Sequence, residues 1–98
     1  MNLEEITDKV KELAEKKSGA IGAKIKFKFD EGAIHLDDSV SPTVVSNNND
    51  PSDCTVKVSM ENFQKLMSGD MNPTAAFMLG KIKVEGDMSV AMKLSSLF

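Results

Sequence analysis

The chain has 98 residues, 41% of them hydrophobic, which suffices for one domain spanning residues 1–98 around a single core. A net charge of −3, with five phenylalanines as the whole aromatic supply, argues against a nucleic-acid surface, which needs clustered lysine or arginine and stacking rings. The one cysteine, Cys54, has no internal disulfide partner, no signal-peptide pattern opens the chain, and no apolar run approaches the roughly 20 residues that span a bilayer, so a cytoplasmic protein is expected.

Leu3, Ile6, Val10, Leu13 and Ala14 fall on one helical face, predicting a helix over residues 2–17 with Asn2 as its cap. Ser18-Gly19 stops it. Residues 23–29 then alternate apolar side chains with Lys24, Lys26 and Lys28, the pattern of a strand with one wet and one buried face. Asp30-Glu31-Gly32 is a turn, and residues 33–37 complete an antiparallel hairpin. His35 reads as an exposed strand histidine on the same face as Asp37.

A short β-prone run at residues 43–46 precedes a loop, Asn47-Asn48-Asn49-Asp50-Pro51-Ser52-Asp53, whose side chains favour bonding their own backbone. Residues 54–58 alternate again, with Cys54, Val56 and Val58 inward. Ser59 caps a helix that carries Met60, Phe63, Leu66 and Met67 on one face and ends at Ser68-Gly69-Asp70. Asn72-Pro73 opens a second, shorter helix with Phe77 and Met78, because proline at the first helical position loses no hydrogen bond. Gly80 closes it, Lys81-Ile82-Lys83-Val84-Glu85 is a last strand, and Asp87 caps one final helix running through Met88, Ala91, Met92, Leu94 and Leu97 to Phe98.

Five amphipathic strands and about four helices, each apolar on one side, predict an α+β two-layer domain: a mostly antiparallel sheet with the helices on one face and water on the other. The two-helix gap before the fifth strand suggests a crossover there, letting that strand pair out of hairpin order.

The run Asp53-Cys54-Thr55-Val56-Lys57-Val58-Ser59, then Met71-Asn72-Pro73-Thr74-Ala75-Ala76-Phe77, Gly80-Lys81-Ile82-Lys83-Val84, Gly86-Asp87-Met88 and Ala91-Met92-Lys93-Leu94, resembles the sterol carrier protein 2 family. The match is dense from Asp53 to Leu94; before that only the order of elements agrees. The resemblance implies a hydrophobic tunnel that holds fatty acid, fatty acyl-CoA, phospholipid or sterol, without chemistry and without a cofactor. Eukaryotic members often carry a polar residue where Leu79 stands, and often end in a Ser-Lys-Leu-like peroxisomal tripeptide. This chain ends Ser96-Leu97-Phe98 and so is more similar to the stand-alone bacterial members.

On that resemblance the expected tunnel lining is Phe27, Phe63, Leu66, Met67, Phe77, Met78, Ile82, Val84, Met88, Met92, Leu97 and Phe98. The methionine supply, seven in all, fits a site that adapts to varied apolar shapes. The final helix, joined at Gly86-Asp87, reads either as a movable wall or as permanent core.

Other function classes lack residues. Asp37 could orient His35, but no nucleophile is placed nearby, since Cys54 reads as inward core, and no metal-ligand spacing occurs. The alternative is a protein-interaction or oligomerisation module that uses its apolar groove without a lipid. Transient membrane contact through the first helix is compatible, although Glu4, Glu5, Asp8, Glu12 and Glu15 alternate there with lysines and leave no basic stripe. A monomer without nucleic acid is expected.

Overall fold

Residues 2–98 are described by a computed structural model. Helix α1 (Leu3–Lys16) begins where the Asn2 side chain accepts the Glu5 amide at 2.9 Å, and it buries Ile6, Val10 and Ala14 on one stripe. The five strands are β1 (Lys24–Phe29), β2 (Gly32–Asp37), β3 (Val44–Ser46), β4 (Cys54–Val58) and β5 (Ile82–Gly86). They form one mixed sheet in the order β3-β2-β1-β4-β5.

Register explains the core. Phe27 lies opposite Ile34 on β2 and Val56 on β4, and Val56 lies opposite Val84 on β5, so four apolar residues form a row across the inner face. Helices α2 (Met60–Ser68) and α3 (Pro73–Met78) and the C-terminal segments α4 (Met88–Met92) and α5 (Leu94–Leu97) join α1 in closing the core with this face. Phe27, Phe29, Phe63 and Phe98 form an aromatic cluster with ring centroids 4.8 to 6.1 Å apart, within the range of favourable tilted and edge-on contact.

Three expectations change. The fifth strand does not pair out of order: β5 runs antiparallel to β4, and the parallel pair is β1 with β4. The crossing connection is therefore residues 47–53, which must span β2 and β1 to join β3 to β4.

That strap lies on the outer face, so the face is not simply wet. Lys26 Nζ donates to the Asp50 carbonyl and the His35 ring donates from Nε2 to the Pro51 carbonyl, each at 3.1 Å, while Asp53 accepts the Lys24 amide at 2.9 Å. His35 is consequently buried, not exposed, at 7% of its free surface.

The last helix is interrupted at Lys93, whose amide reaches back only three residues, to the Val90 carbonyl. Tightening that turn directs Leu94 and Leu97 into the core, both 2% exposed, and leaves Met88 and Met92 outside.

Candidate functional site

Between α3, β5 and the α4–α5 pair lies a groove of about 260 Å³. Ile82 and Val84 on β5 line it; Pro73, Thr74 and Phe77 contribute from α3, and Met88, Ala91, Met92, Leu94 and Ser95 from the C-terminal segments. No charged side chain lines it among the described residues. Its existence follows from the sheet order: the inner row of apolar residues continues onto edge strand β5, past the part that the main core covers.

The local turns hold these walls. Asn72 Oδ1 accepts the Thr74 and Ala75 amides at 2.8 and 3.3 Å, and Asp87 Oδ1 accepts the Ser89 amide at 2.9 Å, capping α3 and α4. The Ser89 hydroxyl, then the Ser89 amide, keep the Asp87 carboxyl below the ordinary aspartate range. Gly86 takes φ +100° where β5 meets α4, and a Cβ there would lie 2.5 Å from the Asp53 carbonyl oxygen. Only glycine permits that approach.

Of the residues expected to line a tunnel, Phe77, Ile82, Val84, Met88 and Met92 are brought together in this groove. Phe27, Phe63, Leu66 and Leu97 are packed in the core at 2% exposure or less, and Phe98 packs against them. Met67 lies in a different hollow, and Met78 is 79% exposed beyond the groove. The groove residues not anticipated are Pro73, Thr74, Ala91, Leu94 and Ser95. Ala91 on α4 and Ser95 on α5, both small, reach the hollow from either side of the break at Lys93.

The hollow is open. Phe77 and Met88 are 44% and 46% exposed and Met92 78%, so solvent reaches the groove past its own walls. A larger space, about 510 Å³, lies between α1 and α2, but Lys9, Glu12, Lys16, Glu61, Lys65 and Asp70 rim it, with Leu13 and Met67 as its large apolar side chains. Size favours that space for a ligand; chemistry favours the smaller one, since an apolar chain gains little against solvated ion pairs.

Two polar contacts outside the groove hold the loop before β1. Asp38, 7% exposed, accepts the Gly19, Ile21 and Gly22 amides at 2.8 to 2.9 Å and the Thr43 hydroxyl at 2.6 Å. Burial pushes its carboxyl up, but the Thr43 hydroxyl and the three amides outweigh burial and hold it below the ordinary range. Lys93 Nζ donates to the Ile21 carbonyl of that same loop at 3.4 Å, tying the loop to the C-terminal segments.

Cys54 and His35 are not brought together. Cys54 is buried, and burial, then Asp87 and Asp53, push its thiol up, away from the reactive thiolate. His35 and Cys54 lie on opposite faces of the sheet, because His35 pairs with Lys26 while Cys54 pairs with Ile25. No group of three or more potential metal ligands occurs among the described residues, and no helix there is long and apolar enough to cross a membrane.

The profile of the SCP-2 sterol transfer family matches residues 3–98. Human sterol carrier protein 2 is 36% identical over 100 residues, an alignment that covers 95% of this chain and 18% of that protein. The chain thus spans less than a fifth of the length of that relative. Among solved structures, the apo form of sterol carrier protein 2 from Yarrowia lipolytica superposes with a TM-score of 0.77 at 24% identity, covering 94% of this chain and 85% of that one. The sterol carrier protein domain 2 of Helicoverpa armigera gives 0.74 at 29% identity, covering 90% and 80%.

Proposed function

The chain belongs to the SCP-2 sterol transfer family, and from that premise we propose that it is a non-enzymatic lipid carrier, holding the apolar part of a fatty acid, fatty acyl-CoA, phospholipid or sterol in the groove between α3, β5 and α4–α5. The observation that carries the reading is a groove without a single charged wall, with Ile82 and Val84 beneath and solvent-exposed Phe77, Met88 and Met92 around it. Apolar side chains of that size are left in water at a free-energy cost unless something covers them.

Magnitudes say how the groove must act. Covering a chain of around 14 methylenes on all sides yields roughly 11 kcal/mol, but an open groove covers about half of it. The remaining 5–6 kcal/mol or so barely exceeds an association cost of at least about 4 kcal/mol. Useful affinity therefore requires Phe77, Met88 and Met92 to fold over the ligand and turn the groove into a tunnel, and unbranched methionine is the side chain best suited to do so.

The C-terminal segments themselves stay down. Val90, Leu94 and Leu97 are buried, and exposing them would cost roughly 1.5–3 kcal/mol each. Entry is thus between side chains, not by lifting a helix.

The test is native mass spectrometry of freshly purified protein, with organic extraction of whatever is released. A monomer carrying one lipid supports the carrier reading; a bare protein that also ignores added fatty acid, acyl-CoA, phospholipid and sterol refutes it.

A further inference from the structure

We propose that the tip formed by Phe77, Met78 and Leu79, together with a row of lysines on the outer face of the sheet, docks this protein onto an anionic lipid bilayer. The inference rests on the carrier reading and names the surface through which the carrier would meet its membrane.

Met78 and Leu79 are 79% and 71% exposed at the end of α3, and Phe77 joins them to the groove rim with Met88 and Met92. Single exposed apolar residues are ordinary; this many on one contiguous patch mark an interaction site.

The lysine row follows from register. Lys28 on β1 lies opposite Lys57 on β4, and Lys57 lies opposite Lys83 on β5, so three adjacent strands present three ammonium groups side by side. Like charges directly opposite one another oppose sheet formation. Glu85 offsets them in part, through a 2.8 Å pair with Lys57. The row remains a local positive excess on a chain of net charge −3, and Lys81 extends it towards the tip.

Tip and row lie at the same end of the sheet. β1 and β4 finish at Phe29 and Val58, and β5 begins at Ile82, paired with Val58 and directly after the tip. Asp30 and Glu31 in the β1–β2 turn lie beyond the row on the β2 side, so the basic side is the one next to the groove.

An apolar tip and a lysine row at one end of the sheet match the two layers of an anionic bilayer surface, acyl region and head groups. A membrane fits better than a protein partner because the groove rim is part of the same patch. A lipid could then pass between bilayer and groove without crossing water.

The experiment is cosedimentation of the full chain with phosphatidylcholine vesicles with and without phosphatidylserine, for the parent, Leu79→Asp and the double variant Lys28→Glu/Lys83→Glu. Expected is stronger binding to the phosphatidylserine vesicles, weakened at least about tenfold by Leu79→Asp and at least roughly 30-fold by the double lysine change. Equal binding to both vesicle types, no binding, or variants that bind like the parent would overturn the proposal. So would a self-associated parent that Leu79→Asp converts to monomer, which would assign the tip to a second copy. Binding of a fluorescent fatty acid without vesicles, measured in parallel, should be unchanged in both variants. Its absence from the parent would instead sink the carrier reading.

Discussion

Val84→Asp separates the groove from the core. Val84 is half-buried on the groove side of β5, opposite Val56, which is 1% exposed. In the unliganded protein the new carboxylate reaches water through the open groove, so the cost to stability is the lost half-burial of a valine, about 1 kcal/mol. Against a domain stability of about 5–15 kcal/mol the variant stays folded. A bound acyl chain closes off that water, and desolvating a carboxylate costs several kcal/mol. Taking only about 3 kcal/mol of it, the dissociation constant should rise more than about 100-fold. Displacement of an environment-sensitive fluorescent fatty acid reads this out cleanly, since the chain has no tryptophan or tyrosine. Val84→Leu, which keeps the wall apolar, should bind within about threefold of the parent. Cooperative unfolding together with near-parental fatty-acid binding in Val84→Asp would refute the placement of the ligand.

Asp38→Asn should cost about 2–4 kcal/mol by urea denaturation, because an amide cannot accept the three backbone amides and the Thr43 hydroxyl as the carboxylate does. The pH dependence follows from the lowered carboxyl: its stabilisation is complete above the unfolded aspartate value of about 3.9 and is lost as pH falls through the lower folded value. An acid-unfolding profile that Asp38→Asn leaves unchanged would contradict this. Gly86→Ala should lose about 2–4 kcal/mol, from a Cβ driven into the Asp53 carbonyl at positive φ, and thermal unfolding at the parental temperature would show that the approach is not tight.

Much of the fold was legible because its punctuation is local. Asn2, Ser59, Asn72 and Asp87 each announce a helix start, and each accepts a backbone amide there. Strand faces were equally readable, since alternation needs only neighbours. What required strand order was not readable. His35 carries no sequence mark of burial; it is covered because a connection must cross two strands to reach β4. The break at Lys93 lacks glycine or proline and follows from Leu94 and Leu97 reaching for the core. The candidate site suffered from the same blindness. Phe27 on β1 and Val84 on β5 face the same side in the same pattern, and only the place of β5 at the edge separates a core residue from a groove wall.

That edge position has a mechanical consequence. A residue of β1 is held by hydrogen-bond ladders on both sides, to β2 and β4, whereas β5 has a neighbour only in β4. Displacing β5 outward strains one ladder and leaves the β1–β2 hairpin and the phenylalanine cluster undisturbed. The hollow is built on an edge strand, so its width can change while the central strands keep their shape.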